Sequence, residues 1–315
     1  SRSAIGVNFW SGIVLTVVVF LFGNVFLQFY GLSGNVFIFA ATYLQITGLS
    51  LCLEALSLAF SAILRSHGFT RHTMVVTVMM NIISITGNYI AVKGFFNIIP
   101  VTGVAGVAVS IVIARIFVVI SLFYLLIKLL ALKIQFKDLI HINGSNVKEL
   151  LSIGVPSAGE SLSYQFSQIV ITGFVAFMGD AALAARVYIL NISMLCYLFT
   201  VAVSQGTQIL VARYIGAKQY DRALDRGIRT LKMAMVVSTI VSAIIAITGD
   251  RLVKLFTDAP AIIAVALPVL WAIIFIEPGR AMNIVLMGSL KSAGDVRFPV
   301  FIGIICMWGI AVLFS

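Results

Sequence analysis

Nine long apolar stretches dictate what this chain can fold into. They lie near residues 10–29, 36–63, 73–92, 104–132, 150–178, 181–211, 231–249, 261–289 and 299–314. Each approaches or exceeds the roughly 20 residues that carry a helix across a hydrocarbon core of about 30 Å. The apolar residues run on without alternating, which predicts spanning helices and not barrel strands. Only 10% of the residues are charged, against about 25% in a soluble domain. The predicted class is an all-α integral membrane protein.

The chain also repeats itself. Leu64-Arg65-Ser66-His67-Gly68-Phe69-Thr70-Arg71 returns as Leu290-Lys291-Ser292-Ala293-Gly294-Asp295-Val296-Arg297, 226 positions later. Leu, Ser, Gly and the final Arg are identical, and Arg65 becomes Lys291. Each copy closes one apolar stretch and precedes another. A repeat of this length marks a transporter built from two related bundles. A period of six spans set against nine present predicts a fragment, lacking two spans at its start and one at its end.

The net charge of +10 does not point to nucleic acid, because of where the charge lies. If the spans alternate sides, fifteen of the 21 Lys and Arg fall on one side, and Lys93, Arg251 and Lys254 on the other. That bias places the basic loops in the cytoplasm. Cys52, Cys196 and Cys306 lie far apart in apolar stretches and read as small core residues. His67, His72 and His141 make no metal-binding spacing. The polar connection around residues 133–148 suits an amphipathic segment on the membrane surface. It divides the chain into a partial N-terminal bundle (1–136, four spans), an inter-lobe linker (137–148) and a partial C-terminal bundle (149–315, five spans).

Several pieces in order resemble the multidrug and toxic compound extrusion (MATE) family. They are the two repeated basic loops, Gly154-Val155-Pro156 with Glu160, Gly206-Thr207-Gln208 running to Gly216-Ala217, and Glu277-Pro278-Gly279-Arg280. The resemblance covers the chain from the family's third helix to its eleventh. It implies twelve helices when complete, about nine of them here, in two bundles related by a pseudo-twofold axis along the membrane normal. It further implies an antiporter that expels small organic cations in exchange for sodium ions or protons. No other cofactor is expected. The expected partners are those cations and the lipid bilayer, with no nucleic acid, and the expected state is a monomer in the plasma or inner membrane.

An ionisable group at the centre of a span costs at least about 2.5 kcal/mol, so each one needs a reason. Glu160 lies about twelve residues into its span, roughly 18 Å deep at 1.5 Å per residue, near the midplane. Ser157, Glu160, Tyr164 and Gln168 share a helical face and form a polar stripe fit to line a cavity. Glu160 is either an ion or proton site or a neutral acid hydrogen-bonded to Ser161 or to a neighbouring helix. Glu277 either joins Glu160 in a cation site, as the resemblance suggests, or pairs with Arg280 three residues on to fix a bend beside Pro278. The only metal expected is sodium at these two carboxylates. Glu54 falls over Arg280 under the repeat offset; it reflects unequal work by the two halves or forms a structural pair with Arg115. Asn191, with Tyr188, Met194 and Tyr197, either shapes an adaptable cavity or packs helices.

Two other functions share some of these features. A lipid-linked oligosaccharide or lipid flippase of the same architecture needs a cationic cavity. Arg115, Arg186 and Arg280 are the cations deep in spans, against Glu54, Glu160 and Glu277, a balance that favours cationic cargo. A membrane enzyme acting on lipid needs a clustered His/Asp/Ser set, and none is visible. No GxxxxGK[ST] loop suggests ATP hydrolysis.

Overall fold

A computed structural model describes residues 2–29, 34–94, 101–130 and 144–313. Helix is the only regular structure among them. The elements are α1 (Arg2–Phe29), α2 (Gly34–Gly48), α3 (Leu51–Ser66), α4 (Thr70–Lys93), α5 (Gly103–Leu130), α6 (Gly144–Phe177), α7 (Asp180–Gly216), α8 (Tyr220–Ile247), α9 (Gly249–Lys254), α10 (Pro260–Ala293) and α11 (Arg297–Cys306). A π-helical turn, Met307–Val312, continues α11. Among the described residues six helices are long and apolar enough to cross a membrane singly, or seven if α2 and α3, bent by 47°, form one span, against the nine expected. The nine expected spans become eleven helices because the stretch at 36–63 breaks in two and residues 249–254 form the short α9.

The chain divides into two compact units, Ser1–Leu150 and Leu151–Ser315. Of the expected linker 137–148, residues 137–143 lie outside the described residues, and Gly144 already opens α6. In the first unit, Ile5 of α1, Phe60 and Leu64 of α3, and Val118, Leu122 and Leu126 of α5 form the core. In the second, Ile189 and Ile192 of α7 meet Ile245 of α8, Val253 of α9, and Leu270 and Ile273 of α10. Outside, Phe20, Leu21, Val78, Ile82, Ile240 and Ile244 are exposed, an apolar coat that suits lipid.

Between helices in lipid there is little hydrophobic drive, so small side chains and hydrogen bonds set the packing. Ala185, Ala234, Ser238, Ala266 and Ala281 are buried in the second unit. Thr207 of α7 and Thr230 of α8 share a hydrogen bond of 2.8 Å, and Ser204 Oγ donates to the Ile284 carbonyl of α10 at 3.1 Å. Helices α7, α8 and α10 thus pack closely on one another. Helix α6 makes few close backbone approaches to them among the described residues and is tied on by long polar side chains.

The repeated phrase folds the same way twice. Gly68 and Gly294 take left-handed φ of 94° and 102°, which glycine adopts without steric cost. Phe69 N–H donates to the Leu64 carbonyl at 2.9 Å, and Asp295 N–H to the Leu290 carbonyl at 3.1 Å. Both are Schellman closures that satisfy last-turn carbonyls. The α7–α8 turn closes alike, Gln219 N–H to the Tyr214 carbonyl at 2.8 Å, but Lys218 holds the left-handed place with φ 58°. Gly216, three residues before Gln219, still belongs to α7.

Candidate functional site

Every carboxylate that the sequence places inside a span meets a cation of its own unit. In the first unit, Glu54 lies on α3, one turn after the break. Arg115 of α5 reaches it at 3.0 Å and also donates to Ser50 Oγ at 2.5 Å and to the Thr47 carbonyl at 3.2 Å. A break in a helix frees carbonyls that a bilayer cannot hydrate, and the guanidinium, with five donors, serves two acceptors there along with the carboxylate. Further along, Asn88 of α4 and Ser110 of α5 meet at 2.5 Å, a polar contact that apolar periodicity gave no reason to single out.

In the second unit, Glu277 is 2% exposed on α10. Arg280 Nη1 sits 2.8 Å from its Oε1, yet this oxygen accepts no hydrogen bond of proper alignment. The contact is an ion pair whose geometry leaves a buried acceptor open. The Cys196 thiol of α7 lies beside the same carboxylate. Pro278 follows directly, and its ring removes the hydrogen bond that would close the helix there.

Glu160 of α6 is paired with Lys291 of α10, Nζ to Oε2 at 2.5 Å, with side chains 19% and 26% exposed. Its neighbour Ser161 donates instead to the Ser157 carbonyl at 3.0 Å. Lys291 stands in the last turn of α10, so Glu160 is held at that helix's end and not at mid-length, where its place in the sequence put it. Glu277 lies fourteen residues earlier on α10, about 21 Å away along a straight helix. Lys291, the partner of Glu160, and Arg280, the partner of Glu277, thus stand eleven residues apart on α10.

The polar stripe of α6 is also less free than its spacing suggests. Gln168 Oε1 accepts from Arg186 Nη2 of α7 at 2.9 Å, and Thr172 Oγ1 accepts from Arg186 Nε at 3.3 Å. Tyr164 is exposed, and Asn191 donates to the Val187 carbonyl of its own helix at 2.8 Å. Trp308 Nε1, in the π-helical turn, donates to Ser163 Oγ at 2.8 Å. Lys291 and Trp308 were missed in sequence: the first reads as an interface anchor, the second as one more aromatic in an apolar run. Tyr188 stacks on Phe256 with ring centroids 5.3 Å apart. The three cysteines are free, and no group of His, Cys, Asp and Glu suited to a metal occurs among the described residues.

Helices that expose apolar coats and enclose ion pairs define a multi-pass membrane protein. The MatE family model matches residues 1–90 and 156–315, and the chain belongs to that family. It is 43% identical over 309 residues to the "Uncharacterized transporter YisQ" of Bacillus subtilis, which covers 98% of this chain and 68% of that protein. It is 26% identical over 300 residues to a "Probable multidrug resistance protein NorM" of Thermotoga maritima, covering 95% of this chain and 64% of that protein. The chain thus spans about two thirds of the length of these relatives. The fold matches that of a multidrug resistance MATE family transporter of the MOP superfamily in its outward-facing conformation, with TM-score 0.90, 16% identity, and coverage of 99% of this chain and 69% of that one. It also matches a MOP superfamily transporter from Pyrococcus furiosus, described by a reverse polarity of its binding pocket that suggests a different function, with TM-score 0.88, 16% identity, and coverage of 99% and 70%.

Proposed function

We propose that the protein is a secondary active multidrug efflux antiporter of the plasma or inner membrane. It exports small organic cations in exchange for sodium ions or protons by alternating access. The observation that carries this reading is Glu277: a carboxylate 2% exposed in an apolar helix, its Oε1 beside Arg280 at 2.8 Å but without an aligned hydrogen bond. Such a group costs several kcal/mol unless function retains it. Glu160 of α6, met by Lys291 of α10, is the second cation-binding carboxylate. The family, and relatives named for multidrug resistance, support the cargo class.

The test follows ethidium in proteoliposomes of the full-length protein under an imposed sodium or proton gradient, with Glu160→Gln and Glu277→Gln beside the parent. One of the two gradients is expected to drive transport, and Glu277→Gln to abolish it while the protein stays folded. Dye that neither gradient moves would overturn the reading.

One observation favours a second reading, a flippase for lipid-linked anionic cargo. Lys291 adds a cation to the balance struck from sequence, so each of the three carboxylates is matched. Arg186 is held by two neutral groups, Gln168 and Thr172, and keeps its charge for an anion. Arg186→Gln distinguishes the two: it abolishes movement of an anionic lipid-linked cargo and spares that of ethidium.

A further inference from the structure

We propose that Lys291 is a tethered cation that occupies Glu160 between transport events, and that the transported cation binds by displacing it. This rests on the reading of Glu160 as a cation-binding carboxylate and adds what keeps that carboxylate closed.

The pair joins residues 131 positions apart, from two helices that otherwise make little close backbone contact. It is neither sealed nor fully hydrated, with 26% of the Lys291 side chain and 19% of the Glu160 side chain exposed. A ligand can therefore reach it, and bulk water screens it only partly. Lys291 carries its charge on a flexible four-carbon stem in the last turn of α10. It can leave Glu160 without any backbone shift, and the negative end of the α10 dipole gives the ammonium a place to rest.

The surroundings of Glu160 suit an organic replacement. Its Oε1 lies near Gly303 of α11, where an added Cβ would stand 3.7 Å from that oxygen and 3.3 Å from the Met287 methyl, so α11 adds no side chain of its own at this point and the nearest neighbour is a flexible methionine. One turn along α6, Ser163 holds the indole of Trp308, which stays 41% exposed. A carboxylate with an aromatic face nearby recognises a bulky or aromatic cation, drawn both to the charge and to the ring quadrupole.

One carboxylate cannot balance two cations in a low-dielectric site, so Lys291 and the ligand exclude each other. If Lys291 holds Glu160 for about 90–99% of the time, the apparent affinity for the ligand falls about 10–100-fold. By linkage, the ligand drives Lys291 off to the same extent.

The experiment measures tetraphenylphosphonium binding to the full-length protein in detergent for the parent, Lys291→Met and Glu160→Gln. The expected result is about 10–100-fold tighter binding by Lys291→Met and weaker binding by Glu160→Gln. Unchanged or weaker binding by Lys291→Met, with weaker binding by Glu160→Gln, overturns the tether and leaves Glu160 as the site. Parent-like binding by Glu160→Gln removes the site itself, and the tether with it. The unmodified protein supplies a second readout that needs no variant to fold. Acylation of Lys291 by a hydroxysuccinimide ester, followed by peptide mass spectrometry, is expected to quicken several-fold under saturating tetraphenylphosphonium. A rate indifferent to the ligand overturns the proposal.

Discussion

Arg280 and Glu277 show what a buried charge demands of its neighbour. Removing one partner of a buried pair costs about 3–5 kcal/mol, because the other stays behind uncompensated. Arg280 is 33% exposed, so Arg280→Met falls at the low end, about 3 kcal/mol, and Glu277→Leu with Arg280→Met recovers most of that loss. Thermal unfolding of the three proteins in detergent checks this; a double variant no more stable than Arg280→Met alone would show that Arg280 matters for something other than Glu277. Lys218 offers the opposite case, strain that can be relieved. A left-handed φ costs a residue with a side chain about 1 kcal/mol or more. Lys218→Gly is therefore expected to raise Tm by about 2 °C, while Lys218→Ala, equally strained, leaves it unchanged. At this scale the sequence was half legible. The three-residue spacing already put Arg280 within reach of Glu277, since helical geometry is local. The partner of Glu160 was not readable, because nothing in a single sequence reports which residues 131 positions apart meet across a helix interface.

The break between α2 and α3 is the element that sequence misjudged. Residues 36–63 hold no proline and read as one continuous apolar run, and only the Arg115 contacts show why a 47° bend is tolerable inside a membrane. Arg115→Met removes the donors to Ser50 and Thr47 together with the Glu54 pair. Hydrogen bonds to charged groups contribute about 1.5–3 kcal/mol each, so this variant should lose more stability than Glu54→Gln, which keeps the donors at the break. Equal losses in thermal unfolding would mean that the ion pair, and not the capping of the break, is what counts. The close packing of α7 on α10 is tested at Gly288, where an added Cβ would come 2.8 Å from Ser204 Oγ. Gly288→Leu is expected to force these helices apart and to lower the yield of folded protein far more than Gly279→Leu, whose Cβ meets no atom within 4 Å. Turns were more readable than breaks, since Gly68 and Gly294 announce their left-handed φ by residue type. Lys218 takes that conformation with no such signal.

For the whole molecule, what hydropathy made legible was the class, because a bilayer admits few solutions for long apolar stretches; the nine expected crossings stand against six helices, or seven with α2–α3, that are long and apolar enough among the described residues. Which side each loop faces depends on charge asymmetry, and labelling can test it directly. Fifteen of the 21 Lys and Arg fall on one side if the nine apolar stretches of the sequence alternate across the membrane. Among them are both copies of the repeated phrase, whose turns close with the same hydrogen bonds. An even number of crossings must separate the two copies if both are to keep their cations on one side. The broken α2–α3 span precedes the first copy and leaves that parity unaltered, whereas the short α9 would change it if those six residues crossed the membrane. At about 1.5 Å per residue, α9 is far too short to cross. Single cysteines placed at His67, Ala293 and Asp250, in a background where Cys52, Cys196 and Cys306 are replaced, are to be labelled in intact cells by a membrane-impermeant maleimide. The cysteine at 250, in the turn that begins α9, is expected to react, and those at 67 and 293 to react only after the membrane is opened. Reaction at 67 but not at 293 would break the parity, and with it the repeat as a guide to which face of the membrane Lys291 and Glu160 serve.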